Sequence, residues 1–233
     1  MPNTIVLIRH AQALHNVDKN YIIPDPPLST LGLAQCLELR SSLLETFGDV
    51  HDAAIIVSPM IRTIQTALLS LDWLVDKGVQ IRADATWQEN SIKPCDTGST
   101  IDTLVERFPT IDFSAMDPIY PDKTSDGAAS YAYTRRAILA RAETGLKNLQ
   151  ARPEKTVFVV SHSGFLRAGL TGFSFFNGDF RVFELVAATE PRQLPQLRHW
   201  TATIRGGLGK SCVDVVELGH HLPDDEIQTT TSN

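Results

Sequence analysis

The chain has 233 residues, with 21 Lys and Arg against 27 Asp and Glu for a formal charge of −6, and 42% hydrophobic and 21% charged side chains. Those proportions exclude a disordered or fibrous chain and suit one sizeable core better than two small ones. An acidic balance argues against a nucleic-acid backbone as partner, and no apolar run approaches the ~20 residues that span a bilayer, so neither nucleic acid binding nor membrane insertion is expected.

Cys36, Cys95 and Cys212 are odd in number and widely spaced, which points to reduced thiols rather than a disulfide framework or a zinc site. Met-Pro-Asn-Thr leads straight into Ile5-Val6-Leu7-Ile8 with no basic segment or long apolar leader, so a cytoplasmic location is the expectation.

Ile5–Ile8 is short, apolar and rich in β-branched residues, and reads as a fully buried strand. Leu31, Ala34, Leu37, Leu43, Leu44 and Phe47 recur at helical spacing over 30–47, with Ser29 or Thr30 as the cap and Gly48 as the stop. Ala53–Val57 is a second buried strand. The next helix, 59–77, takes Ser58 as its cap and Pro59 as its first residue, and ends at Gly78. Helices come next over 99–108 and 128–151, separated by a long ordered loop over 109–127 that holds three prolines. Val157–Val160 is the third buried strand, followed by a helix from 164 to 171 and by strands near 181–187, 200–205 and 212–218. Residues 219–233 read as a flexible polar tail. Buried strands without alternation, interleaved with helices, predict an α/β domain over 1–218. It is a three-layer α/β/α sandwich with a mostly parallel, mixed sheet and a helix-and-loop cap region at about 84–152.

The residues directly after each buried run carry the chemistry: Arg9-His10, then Ser58-Pro59-Met60-Ile61-Arg62, then Ser161-His162-Ser163-Gly164. Ligands of open α/β sheets bind outside the carboxyl ends of the strands, so two histidines and two arginines fall where a pocket is expected. Arg62 in the first turn of a helix is electrostatically awkward unless an anion sits beside it. Paired guanidinium forks stabilise a transferring phosphoryl group, and a neutral imidazole attacks phosphorus as a nucleophile, with no metal required.

These residues carry a family resemblance. Arg9-His10-Ala11 is similar to the Arg-His-Gly signature of the histidine phosphatase (phosphoglycerate mutase-like) superfamily, with alanine in place of glycine. Pro27-Leu28-Ser29-Thr30-Leu31-Gly32-Leu33-Ala34-Gln35, Ser58-Pro59-Met60-Ile61-Arg62-Thr63-Ile64-Gln65-Thr66-Ala67, Trp87-Gln88-Glu89 and Val160-Ser161-His162-Ser163-Gly164 resemble its further segments in order. The resemblance implies His10 as phosphoryl acceptor, with Arg9, Arg62 and His162 on the phosphate and Asn16 as a further contact. It implies Glu89 as the acid that protonates the leaving oxygen and then deprotonates water. Ser163 stands where a second glycine is common, and its hydroxyl either donates to the ligand or faces a helix.

Residues 84–127 hold only Lys93, Arg107 and Lys123 against nine carboxylates, a poor setting for a second phosphate. Hydrolysis of a small-molecule phosphate is therefore expected over phosphomutase action. A phosphate-binding pseudoenzyme is the alternative from another class. A metal-dependent hydrolase is disfavoured because no histidine pair has ligand spacing and His220-His221 falls in the tail. Phe173, Phe175, Phe176 and Phe180 either pack under the sheet or form an apolar wall for a lipid-like or aromatic substrate.

Overall fold

A computed structural model describes residues 4–188, 190 and 193–224. Its centre is a sheet of six strands: β1 (Thr4–Arg9), β2 (Ala53–Val57), β3 (Ile81–Ala83), β4 (Thr156–Ser161), β5 (Phe180–Val186) and β6 (Gln196–His199). The order is β3-β2-β4-β1-β5-β6; β3, β2, β4 and β1 are parallel, β5 runs against β1, and β6 runs against β5.

β1, β2 and β4 are apolar through their centres because both their faces are covered. After the single turn α1 (Leu14–Val17) come α2 (Thr30–Phe47) and α3 (Ile61–Ser70), and Val6, Ile8, Ile55, Val57, Phe158 and Val160 join one core with Leu39, Leu43 and Phe47 of α2 and Ile61, Ile64 and Ala67 of α3. Ile5, Leu7, Ile56, Val157 and Val159 face the other way, onto Ile138 and Ala142 of the long helix Arg135–Gln150 and Phe165 and Leu166 of a π-helix, Phe165–Thr171. Alternation is present in direction but invisible in polarity, which is why the sequence shows continuous apolar runs. The expected three-layer α/β/α sandwich with a mostly parallel, mixed sheet is observed.

Ser29 caps α2, its side chain accepting from the Gly32 N–H. The expected helix 59–77 begins later and breaks: α3 takes Met60 as its N-cap and is followed, after Leu71, by the short α4 (Asp72–Val75). Ser58 is drawn away from capping into a side-chain bond with His162. The helix expected at 128–151 divides into a 3-10 segment, Asp126–Tyr131, and the helix Arg135–Gln150. The expected strands at 200–205 and 212–218 do not form. Thr201–Thr203 is a 3-10 turn, and only a bridge between Phe173 and Val215 touches the second segment. Gly207 presses against the Phe180 ring and Leu208 N–H donates to Asp179, so the chain turns back instead of extending the sheet.

Of the tail expected at 219–233, the described part, 219–224, is docked rather than loose. Gly219 N–H donates to the Ala168 carbonyl, Arg135 N–H donates to the Pro223 carbonyl, and Leu222 packs on the second core. Residues 225–233 lie outside the described residues.

Candidate active site

Register brings the site together. Ile8 and Val57 both pair with Val160, so β1, β2 and β4 end level and their following loops share one edge of the sheet. His10, Arg62 and His162 meet there, all essentially buried. The His10 and His162 ring centroids are 5.2 Å apart. His10 Nδ1 lies 2.7 Å from the Ala11 carbonyl, which accepts its N–H and so leaves the lone pair on Nε2. That lone pair faces Arg62 Nε at 3.3 Å. Burial, then the charges of Arg62 and Arg9, hold His10 well below the usual imidazole range, so its free-base form is secure. His162 is pushed the same way by burial, Arg62 and His10. Its Nε2 is 2.8 Å from Ser58 Oγ. A hydroxyl donating there leaves the proton on Nδ1.

Three buried nitrogens around this cluster have no hydrogen-bond partner among the described residues: Arg9 Nε, His15 Nδ1 and His162 Nδ1. Buried polar atoms are rarely orphaned, and three left over around one cluster fit an anion that supplies the missing acceptors. Arg9 Nη1 donates to the Phe175 carbonyl, and burial pushes its guanidinium down to about 10. Arg62 Nη1 donates to the Cys95 carbonyl at 2.6 Å and Nη2 to Asp96 at 3.2 Å. The first turn of α3 is not itself an open anion site. Asp25 accepts from Ile61 N–H and so occupies that helix end.

Glu89 sits at the start of the π-helix, where Gly164 and Phe165 N–H donate to its two carboxyl oxygens at 3.1 and 3.0 Å. Burial, then the neighbouring Asp96 charge, raises it above the usual carboxylate range against those bonds. Gly164 is required by contact, since a Cβ there would collide with the Glu89 carboxyl. Trp87 is buried and its carbonyl accepts from Ser161 Oγ, which ties the acid segment to β4, whereas Ile92 is exposed.

Two buried cations that the sequence pattern does not single out grip this segment by its backbone. Lys123 Nζ donates to the carbonyls of Glu89, Ser91 and Asp96 at 2.7, 3.0 and 2.5 Å. Arg141 donates to the carbonyls of Thr86 and Gln88 and to Asn90 Oδ1, with Phe165 beneath its guanidinium. Burial pushes Lys123 down to about 7 and Arg141 down to about 10.

Much of the family-like pattern turns out to be scaffold. Ser29 Oγ donates to Gln12, Gln35 accepts from Gln12 N–H, Gln65 accepts from Leu28 N–H, and Thr66 accepts from Ala11 N–H. Together they pin the loop after His10. A Cβ at Gly32 would strike the Gln12 carbonyl, so α2 needs glycine to lie this close. Ala11 is not among the residues with positive φ, so alanine meets the needs of that position. Asn16 bonds Ala13 N–H, His15 Nε2 and Asn177, beside the loop that follows His10.

A cavity of about 360 Å³ opens on the far side of Glu89, lined by Glu89, Ser163, Arg167, Lys93, His220 and His221 among others. None of the four phenylalanines lines it. Phe175 and Phe180 are in the two cores, Phe173 packs on Phe183 and His199, and Phe176 is exposed. They form no wall of this cavity, whose apolar lining comes from Tyr133, Ala168, Val216 and Leu222 instead. Among the described residues no group of three or more His, Cys, Asp or Glu side chains is arranged to hold a metal ion, and no helix is long and apolar enough to cross a membrane.

An α/β sandwich with two imidazoles and two guanidinium groups gathered at the strand ends, and a carboxyl of raised pKa beside them, defines a phosphoryl-handling enzyme of the phosphatase class. The model of the histidine phosphatase superfamily (branch 1) matches residues 5–190, and the chain belongs to that family. A Schizosaccharomyces pombe protein described as a probable phosphatase is 29% identical over 164 residues, 68% of this chain and 73% of the other. Phosphoglycerate mutase-like protein 1 of Arabidopsis thaliana is 29% identical over 198 residues, 70% and 69% of the two chains. Among solved structures, a mycobacterial glucosyl-3-phosphoglycerate phosphatase superposes with a TM-score of 0.52 at 18% identity, covering 84% of this chain and 97% of the other. The ecdysone phosphate phosphatase of Bombyx mori gives 0.54 at 16% identity, covering 82% and 95%.

Proposed function

We propose that the protein hydrolyses a small-molecule phosphate monoester through a phosphohistidine on His10. The observation that carries this reading is the fixed tautomer of His10: Nδ1 is tied to the Ala11 carbonyl and the Nε2 lone pair points at a guanidinium. An incoming phosphate would take over the Arg62 Nε–H and receive the free donors of Arg9 and His162. The Nε2 lone pair then attacks phosphorus as the ester P–O bond breaks, and the departing oxygen takes its proton from Glu89. Water next attacks phosphorus, gives its proton to the Glu89 carboxylate and releases inorganic phosphate. The P–N bond electrons return to His10. Arg9, Arg62 and His162 hold the phosphoryl oxygens through both steps, in a site where burial keeps their effect unscreened. Asn16 and Ser163 flank the phosphate from the nucleophile loop and the second-histidine loop. This chemistry asks nothing of a metal.

The test is para-nitrophenyl phosphate turnover in EDTA by the wild type and by His10→Ala. Expected are metal-independent turnover with an acid-labile phosphoryl adduct in the wild type, and a loss of about a thousandfold or more with no adduct in the variant. Turnover surviving in His10→Ala moves the nucleophile elsewhere, and inhibition by EDTA brings a metal into the mechanism.

A further inference from the structure

The single turn α1 is folded inside out. Leu14 and Val17 are 41% and 52% exposed, whereas His15 between them is only 5% exposed. Burying an imidazole where leucine or valine would gain more from burial is costly unless the ring makes bonds of its own. One of its nitrogens does. Asn16 Oδ1 accepts from Ala13 N–H at 3.1 Å and from Asn177 Nδ2 at 3.4 Å, so the Asn16 amide nitrogen is the group 3.0 Å from His15 Nε2. Nε2 is therefore an acceptor, and the ring proton sits on Nδ1. That N–H is buried and has no partner among the described residues. The His15 ring centroid lies 6.0 Å from that of His10, and Leu14 N–H, donating to the Pro27 carbonyl, fastens the turn in place. Burial, then the Arg62 charge, pushes His15 down to about 4, so the ring is neutral at pH 7.

We infer that His15 is a phosphoryl-binding residue, its Nδ1–H donating to an oxygen of the phosphoryl group carried by His10. The inference rests on the phosphatase reading above and gives the reaction a third imidazole, after the nucleophile and His162. With the two rings 6.0 Å apart, a phosphoryl group on His10 spans the gap and supplies the acceptor that His15 Nδ1 lacks. As a neutral donor, His15 grips the group in transfer without adding a third full positive charge to those of Arg9 and Arg62, which would also hold back the product phosphate. This role accounts for two features that packing does not: the inverted burial of α1, and an asparagine spent on fixing a tautomer. A ring packed there only for its volume would be better served by phenylalanine, which leaves no buried N–H unsatisfied.

The test compares His15→Phe with His15→Asn through inhibition by orthovanadate, which mimics the phosphoryl group in transfer. The asparagine amide nitrogen falls near the place of Nδ1 and keeps a donor there, whereas phenylalanine keeps the ring and loses the donor. The inhibition constant is expected to rise about tenfold or more in His15→Phe, the loss of one hydrogen bond to a charged group, and to stay within about threefold of wild type in His15→Asn. Melting temperatures are read alongside: His15→Phe should be at least as stable as His15→Asn, so that its weaker inhibition is not a loss of fold. A ring present only for packing predicts the reverse, with the more stable His15→Phe keeping the tighter inhibition. In the wild type, the His15 Nδ1–H proton resonance, assigned by couplings within the ring, should move downfield on adding vanadate, a readout that depends on neither variant. Unchanged inhibition in His15→Phe, equal losses in both variants, or an unmoved proton overturns the assignment, while wild-type turnover keeps the phosphatase reading. A wild type that neither turns over para-nitrophenyl phosphate nor binds vanadate overturns both.

Discussion

Glu89 shows how one side chain is set between opposing forces. Three N–H donors, from Asn90, Gly164 and Phe165, favour its carboxylate, whereas burial and the Asp96 charge favour the acid, and the balance lies toward the acid. A proton donor is needed only when the leaving oxygen is a poor one. Glu89→Gln should therefore slow hydrolysis of an alkyl phosphate by about 10²–10⁴-fold and that of para-nitrophenyl phosphate far less. The acid form is lost as pH rises through the raised pKa, so the alkyl rate in wild type should fall on the alkaline side, and the Gln variant should lack that limb. Equal losses on the two esters, or an unchanged limb in the variant, would remove Glu89 from the acid role.

The segment 86–96 carries both Glu89 and the partners of Arg62, yet it is mostly turn, and its shape comes from Lys123 and Arg141. Lys123 spends all three ammonium protons on backbone carbonyls. Lys123→Met leaves those carbonyls without a donor, and is expected to cost about 2 kcal/mol of stability. The proposed role is positioning, so kcat on alkyl phosphates should fall by about tenfold or more, with KM little changed. With the lysine pushed down to about 7, the wild type loses the third donor as pH rises past that value, and the variant should not show this component. A fall in kcat that heat-lability alone accounts for, with the pH profile intact, would reduce Lys123 to a structural residue. Neither cation was legible in the sequence, because a lone basic residue bonding carbonyls far along the chain leaves no periodicity or motif. His10, Arg62, Glu89 and His162 were legible because strand ends and ordered segments mark them. The missing strands at 200–205 and 212–218 failed for a related reason: Thr, Ile and Val spaced like a strand are overruled by the contacts of Gly207 with Phe180 and of Leu208 with Asp179. Asp25, which accepts from Ile61 N–H and from Ser99, lies in a proline-flanked loop and gave no signal either.

Gathering these groups makes the folded molecule as a whole sensitive to acid. His10, His15 and His162 are buried close together beside Arg9 and Arg62, and all three are held below the usual imidazole range, His15 at about 4. Between the unfolded value near ~6.5 and these lowered values, the unfolded chain binds more protons than the folded one, so stability is present at neutral pH and is lost as pH falls. Each imidazole kept neutral at pH 5 accounts for at most about 2 kcal/mol of that loss relative to pH 7. Glu89 acts in the opposite sense. Its raised pKa lets the folded state bind the extra proton, which offsets part of the loss of one histidine. The sum still favours destabilisation, and a fall in Tm on the order of 10 °C between pH 7 and pH 5 is expected by calorimetry in a non-coordinating buffer. His15→Phe, which removes one of the three imidazoles without touching the proposed nucleophile, should flatten the slope by roughly a third. A Tm that holds steady or rises over this interval would mean that the histidines are already charged in the folded protein. The Nε2 lone pair assigned to His10 would then not exist.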